Sequence, residues 1–437
     1  MSVYLGVDLG STTTKAVILD RDEKILGRGI TNTRSDYQVA TAVAETEARI
    51  NARFTILRRL LEAEGSGVEM LDALVSRFAV RAFLFRLARL RRLALAHAGS
   101  AGGPVTERLR LALESIFERI EADVRLNPEA AARLKRSFFR DLVGVAWMSL
   151  AESEAAKFDL DFEDLMGVFD VVILKEENTV LDFDFAETIL AGHDPVSGNG
   201  ADPRVVREAV AAAAREPLEV LNLAGTGYGR QRLPFRKDQI RSEILCHGLG
   251  AHYFFPATRS VLDIGGQDTK AIQIGGDGIA TNFQMNDRCA AGCGRYLGYI
   301  ADELNLSLDE LGPLALTATR RVQVSSTCTV FAGAELRERL ELGERREDIL
   351  AGLHRAIVLR AMSLLSRSGG VREEFTFTGG VARNPAVVAA LRELVIENYG
   401  GVTLNIHPDS IYMGAVGAAL FARRDLPMEG LEMEPTR

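Results

Sequence analysis

The stretch from Val261 to Arg295, VLDIGGQDTKAIQIGGDGIATNFQMNDRCAAGCGR, constrains the fold more than any other. An apolar run from Val261 to Ile264 breaks into Gly265-Gly266-Gln267-Asp268, resumes as a second strand pattern and closes on Cys289 at a helix start. Glycines let backbone N–H groups approach a phosphate closely. Asp263 and Asp268 are of the residue type that holds a metal's water shell or an attacking water. Taken alone, the same residues also fit a hairpin with a Gly-rich turn.

The pattern recurs. Tyr4 to Val7 reads as a buried strand, Asp8 to Thr14 as a small-residue turn and Lys15 to Leu19 as the returning strand. In VDLGSTTTKAVILD the amides around Gly10, the hydroxyls of Ser11, Thr12 and Thr13, and the Lys15 ammonium can converge on a phosphate, with Asp8 facing a magnesium-bound water. A strand pattern follows these glycines where the Walker arrangement demands a helix. Leu221 to Arg230 is another apolar strand entering a turn, Gly225-Thr226-Gly227, and Phe375 to Pro385 is a third, with Gly379, Gly380 and Asn384. Met413 to Ala422 reads as a small-residue helix that packs tightly on a sheet or on another helix. Two glycine-loop strand pairs in separate halves, each followed later by a Gly-rich helix, point to a duplicated α/β domain with a nucleotide between the halves.

The 437 residues suffice for two or three domains. A net charge of −8 argues against non-specific nucleic-acid binding. MSVYLGVDLG enters a strand pattern at once, without a signal-peptide pattern, and no run of about 18 apolar residues occurs. A cytoplasmic protein without a membrane role is expected. From about Ser35 to Glu216 the chain contains no further glycine loop and is rich in Ala, Leu, Arg and Glu at helical spacing, so this block is expected to be mainly helical. Its charge is polarised, with 14 basic and 6 acidic residues from Arg77 to Arg140 but 2 basic and 12 acidic from Ala151 to Leu190. The opposed blocks lead us to expect a docking surface for partner subunits. A helix packed on the acidic segment also explains the Arg-interrupted apolar stripe. Asp194-Pro195 and Gly198-Asn199-Gly200 read as a loop closing the block.

The four cysteines, Cys246, Cys289, Cys293 and Cys328, all lie in the carboxy-terminal half. In a reducing compartment such a cluster favours metal or redox chemistry over disulfides. Cys289 and Cys328 are 39 residues apart and neither has the C-x₂-C spacing of a self-contained site. A cluster shared across a two-fold interface would complete the ligand count, but on residue chemistry alone four inert core thiols are the favoured reading.

Gly6 to Lys15, Asp263 to Lys270 and Thr378 to Pro385 resemble the phosphate-one, phosphate-two and adenosine segments of the acetate kinase, sugar kinase, Hsp70 and actin superfamily. Asn286-Asp-Arg-Cys-Ala-Ala-Gly and Ser326-Thr-Cys-Thr-Val-Phe-Ala resemble the cluster motifs of ATP-dependent activators of 2-hydroxyacyl-CoA dehydratases and of the related ATPase subunits of benzoyl-CoA reductase. The agreement covers the start of the chain and most of Leu221 to Arg423. The resemblance implies a duplicated actin- and Hsp70-like (RNase H-like) ATPase with ATP and Mg²⁺, and a [4Fe-4S] cluster shared between two protomers, with Cys289 and Cys328 as this chain's ligands. It implies that Asp8 and Asp263 hold the magnesium shell, that Lys15 and the loop amides steady phosphates, and that Gln267 or Asp268 orients the attacking water. Cys293 departs from the activator pattern, and Cys246 gains no cluster role from it.

Roughly 150 extra residues after the first phosphate loop, too many for an ordinary connection, make the chain resemble the larger ATPase subunit of benzoyl-CoA reductase. That implies partnership with a homologous smaller ATPase subunit, two substrate-binding reductase subunits and reduced ferredoxin. A dehydratase activator is the alternative, while a small-molecule kinase or a client-binding ATPase leaves Cys289 and Cys328 without a purpose. The expected division is 1–34 as the first part of subdomain I, 35–216 as a mainly helical insertion with flanking ATPase elements, 217–258 as the remainder of subdomain I, 259–410 as subdomain II with the cluster-binding cysteines, and 411–437 as a helix returning to subdomain I.

Overall fold

A computed structural model describes residues 1–33, 36–65, 69–99, 104–127, 130–135, 138–180, 183–191, 202–286, 294–320, 322–324 and 329–425. The chain opens with β1 (Ser2–Leu9), β2 (Thr13–Asp20) and β3 (Ile25–Asn32). A helical stretch follows, of α1 (Tyr37–Ala63), α2 (Glu69–Gly99), α3 (Pro104–Leu126), α4 (Ala130–Leu134), α5 (Phe139–Phe158), α6 (Phe162–Glu177), α7 (Phe185–Leu190) and α8 (Pro203–Arg215). Then come β4 (Glu219–Thr226), α9 (Glu243–Phe254), β5 (Ser260–Ile264), β6 (Thr269–Ile274), β7 (Ala280–Asn286), α10 (Gly294–Glu303), α11 (Leu308–Leu316), α12 (Thr329–Glu341) and α13 (Arg346–Ser368). β8 (Phe375–Thr378), α14 (Pro385–Tyr399), β9 (Leu404–Asn405) and α15 (Met413–Arg424) complete the described chain. Two compact units result, one of Met1 with Arg34–Leu218 and one of Ser2–Thr33 with Glu219–Arg437.

The second unit repeats one topology. Its sheets run β3-β2-β1-β4 and β7-β6-β5-β8-β9. In each, three strands form an antiparallel meander whose first member pairs in parallel with a later strand, β1 with β4 and β5 with β8. A strand with neighbours on both edges and cover on both faces has to be apolar throughout, and from Val3 to Leu9 β1 is buried at every position.

Small residues set the distance between layers. A Cβ on Gly6 would collide with the Ala415 carbonyl of α15, and one on Gly250 of α9 would collide with the Met413 carbonyl. One on Gly417 would run into the Cys246 carbonyl, so α9 and α15 cross backbone to backbone. Cys246 is a free thiol fully buried at this crossing, and burial pushes its pKa up to about 12. Beneath the second sheet, Leu262, Ile264, Phe375 and Phe377 form one core with Leu353, Ile357 and Leu365 of α13 and Leu391 of α14.

In the helical unit α2 packs on α3, α3 on α5, α5 on α6 and α6 on α2. This ring closes around Trp147, whose indole lies 5.3 Å from Phe117 and 5.1 Å from Phe169. The charge blocks read from the sequence meet here. Arg86 and Arg89 reach the fully buried Glu176 at 3.2 and 3.1 Å, Arg140 reaches Glu177 at 3.3 Å and Arg119 reaches Glu154 at 2.9 Å. These basic residues therefore balance acidic ones inside their own unit, and the polarisation by itself no longer argues for a docking partner. Asp194 to Gly200 lies outside the described residues.

Overpacking at a backbone crossing has no flexible side chain to absorb it. Gly417→Ala is expected to destabilise the protein by about 2–3 kcal/mol. Gly167→Ala, at an exposed position of α6 with open space around it, is expected to stabilise its helix by up to about 1 kcal/mol. Urea unfolding of both variants checks the contrast.

Candidate functional site

Asp8 is the penultimate residue of β1 and stands opposite Lys15 of β2 in the antiparallel register. Its carboxylate, 3% exposed, lies 3.4 Å from the Lys15 ammonium. Between them the Gly10 amide donates to the Thr13 carbonyl at 3.2 Å, and the Gly10 carbonyl accepts from the Thr33 hydroxyl at 2.7 Å. This leaves Ser11 half-buried and Thr12 exposed at the tip. β4 brings Thr226 opposite Asp8, and the chain turns at Gly227 with φ +96°. A Cβ there would lie 2.5 Å from both Asp8 Oδ1 and the Leu9 carbonyl, so conformation and space both demand glycine. Gly225 serves packing, since Leu233 and Phe235 occupy the space beside its Cα.

The second half repeats these parts. Asp263 of β5 stands opposite Lys270 of β6, 3.4 Å from its ammonium, at the same seven-residue separation. β8 brings Thr378 opposite Asp263, and its hydroxyl donates to Asp263 Oδ1 at 2.8 Å. The chain then turns at Gly379 with φ +88°, against the Ile264 carbonyl. Within the loop the Gly265 amide donates to the Asp268 carbonyl at 2.9 Å, and Lys270 holds Asp268 Oδ2 at 2.8 Å. The Gln267 side chain is half-buried. The two loops touch: a Cβ on Gly266 would collide with the Thr12 hydroxyl.

Burial alone would raise the Asp263 pKa, but the charges of His247 and Lys270 outweigh it and hold this carboxyl far below the usual range. Burial alone would lower Lys270, and Asp263, Asp268 and Glu243 outweigh that and raise it. The pair is therefore ionised at neutral pH. Carboxylate oxygens beside open glycine loops match what Mg²⁺ takes when it is shared with nucleotide phosphates, one or two carboxylates and several waters. Among the described residues no group of three or more His, Cys, Asp or Glu side chains forms a self-contained metal cluster.

Two residues of the site escape a reading of the sequence. Glu243 and His247 of α9 are both buried. His247 Nδ1 lies 3.2 Å from Asp263 Oδ1. Burial raises the Glu243 pKa, and the Lys270 charge opposes the rise. The available signal is SEILCHGLGAH, in which two ionisable residues four apart share one face of an otherwise apolar, Gly-containing helix.

Asn384 acts as a helix cap. Its Oδ1 accepts from the amides of Ala386 and Val387 at 3.0 and 3.2 Å, with Pro385 at the first helical position. Its Nδ2 donates to His354 Nε2 at 3.1 Å, while His354 Nδ1 donates to the Leu350 carbonyl at 2.7 Å. Gly379 and Gly380 lead into this cap.

Cys289, Cys293 and Cys328 lie outside the described residues. The helices that follow them in the chain are described, α10 from Gly294 and α12 from Thr329. α10 is fastened to the glycine loop, because the amides of Gly294 and Arg295 donate to the carbonyls of Gly265 and Gly266, both at 2.8 Å.

A protein-family model described as the BadF/BadG/BcrA/BcrD ATPase family matches residues 5–422. The (R)-2-hydroxyglutaryl-CoA dehydratase activating ATPase of Acidaminococcus fermentans is 41% identical over 226 residues, which cover 52% of this chain and 84% of that protein. One subunit of the benzoyl-CoA reductase of Thauera aromatica is 35% identical over 209 residues, 48% of this chain and 73% of that protein. Component A of the Acidaminococcus fermentans (R)-2-hydroxyglutaryl-CoA dehydratase superposes over 97% of this chain and 98% of its own, with a TM-score of 0.55 and 24% identity. That likeness concerns the fold, and the duplicated actin- and Hsp70-like α/β architecture that the family resemblance implied is the one the chain adopts.

Burial holds His354 down at about 4, so the folded chain leaves it neutral where an unfolded chain, with a pKa of 6.5, protonates it. Its contribution to stability is complete above pH 6.5 and declines as pH falls from 6.5 toward 4, by on the order of 3 kcal/mol. Urea unfolding across this window is expected to show a steeper loss for the wild type than for His354→Gln.

Proposed function

The chain belongs to the BadF/BadG/BcrA/BcrD ATPase family, and from that premise we propose that it is the ATP-hydrolysing, electron-activating subunit of an ATP-dependent benzoyl-CoA reductase in the cytoplasm. Its partners are a homologous smaller ATPase subunit, two substrate-binding reductase subunits that reduce the aromatic ring, and reduced ferredoxin as electron donor. Cys289 and Cys328, with two cysteines of the smaller ATPase subunit, hold a [4Fe-4S] cluster that supplies a one-electron relay.

The observation that carries this reading is the joint between the Gly265-Gly266 loop and the start of α10. A loop that meets a nucleotide's phosphates and is hydrogen-bonded to the helix after the Cys289 segment gives hydrolysis a mechanical route to the cluster ligands. ATP drives such a change only by binding two arrangements of the joint differently, since equal affinity shifts nothing.

Asp8 and Asp263 hold the water shell of magnesium. Lys15, the amides around Gly10 and the hydroxyls of Ser11, Thr12 and Thr13 steady phosphates, and the turns at Gly227, Gly265 and Gly266 bring further backbone to them. Gly379, Gly380 and the Asn384 cap form the adenosine side. Gln267 orients the attacking water in preference to Asp268, whose carboxylate is already tied to Lys270. In this reading residues 1–34, 217–258 and 411–437 form subdomain I and residues 259–410 form subdomain II.

A second reading, an activator of a 2-hydroxyacyl-CoA dehydratase, draws on the higher identity to the Acidaminococcus protein, 41% against 35% for the Thauera reductase protein. The helical unit of Arg34–Leu218 supports the larger reductase subunit instead. Iron and acid-labile sulfide are to be measured in the anaerobically purified chain with its co-expressed partners, followed by turnover of benzoyl-CoA and of a 2-hydroxyacyl-CoA. Roughly four irons per ATPase pair, lost in Cys289→Ser and in Cys328→Ser, together with ring reduction, are expected. Iron with dehydration alone selects the second reading, and an iron-free wild type returns the chain to kinase or client-binding ATPase.

A further inference from the structure

His247 reaches both halves of the duplication. On one side its Nδ1 lies 3.2 Å from Asp263 Oδ1, an ion-pair distance without hydrogen-bond alignment. On the other, a Cβ built on Gly414 would lie 2.9 Å from His247 Nε2 and 2.8 Å from Asp8 Oδ2. The second ring nitrogen and the first half's carboxylate therefore border one gap, left open because residue 414 has no side chain. An imidazole carries polar atoms on two edges of one rigid ring, which suits it to address two groups at once.

The duplication supports its two carboxylates unequally. Thr378 donates to Asp263 at 2.8 Å, whereas Thr226, at the equivalent register, gives its hydroxyl to the Arg241 carbonyl at 3.1 Å. Asp8 therefore lacks the threonine that steadies its counterpart. The origin of the imidazole is fixed, because α9 is clamped on α15 where Gly250 and Gly417 admit no Cβ.

We propose that His247 is a positioning residue for ATP hydrolysis, fixing Asp263 with one ring nitrogen and facing Asp8 with the other, so that the carboxylates of the two halves are held in register for a single magnesium–nucleotide complex. The inference rests on the reading of Asp8 and Asp263 as the magnesium-shell carboxylates. Its consequence is a requirement carried by kcat and by magnesium, because a ligand shell displaced by about 1 Å costs on the order of 10²-fold in rate while leaving remote nucleotide contacts intact.

The test uses the full chain with its co-expressed partners and reads kcat and KM for ATP across a magnesium titration, with thermal unfolding in parallel. His247→Leu is expected to lower kcat by about 10²-fold and to raise the magnesium concentration at half-maximal rate, with KM for ATP nearly unchanged. His247→Asn, which restores a donor toward Asp263, is expected to recover part of the loss. Gly414→Ala, which drives a methyl group between Asp8 and His247 from the far side, is expected to reproduce the kcat and magnesium defects, and it decides the matter where His247→Leu does not fold. Asp263→Asn separates the levels. If it is inactive while folded His247→Leu and Gly414→Ala match the wild type in kcat and magnesium requirement, the positioning role is overturned and the carboxylate reading stands. If Asp263→Asn retains full kcat, the carboxylate reading falls and takes this inference with it.

Discussion

A buried carboxylate facing a buried ammonium across a hairpin is the constraint on which the two-sheet unit of this protein depends. Asp263 and Lys270 are 1% and 3% exposed, and neither charge is tolerable at such depth without the other and without further donors. The requirement dictates the surroundings. The two residues have to be register partners on antiparallel strands, a parallel strand has to bring Thr378 within reach, and the turns beyond have to be glycine so that backbone can pass close to the carboxylate's own strand. Asp8, Lys15 and Gly227 take the same places at the same register in the first half, where the Thr226 hydroxyl goes to the Arg241 carbonyl instead.

The second constraint is the distance of closest approach between α9, α15 and β1. Gly6, Gly250 and Gly417 let these elements touch through their backbones, and this contact delivers Glu243 and His247 to the carboxylates. A helix held by side-chain interdigitation sits about 8–10 Å from its neighbour, axis to axis, which would withdraw His247 from one half or the other. The small residues of Met413 to Ala422 are thus part of the site's geometry although none of them is polar.

Local features carry most of what the sequence discloses. Asp8 and Asp263 are legible because each is a charged residue near the end of an apolar strand, with glycine close behind it. That Thr226 and Thr378 stand opposite them is not, because strand register between β1 and β4 joins residues more than two hundred positions apart and depends on the whole sheet. His247 is hidden by its helix, which reads as core because it is core at nearly every position. Asn384 reads through its glycine neighbours as a nucleotide contact, whereas Asn-Pro is also the signature of a helix cap and first turn, and its hydrogen bonds serve that role. The charge blocks of the helical unit are legible along the chain but their pairing is not, since a net balance is blind to Arg86 meeting Glu176 across ninety positions.

Cys246 has a use of a different kind. A thiol whose pKa is pushed up to about 12 at a fully buried backbone crossing holds almost no thiolate at neutral pH and is inert to alkylating reagents while the crossing is closed. Its modification rate therefore measures how often α9 parts from α15. The protein carries within its own sequence a chemical clock for the opening of the α9–α15 crossing, readable by mass spectrometry.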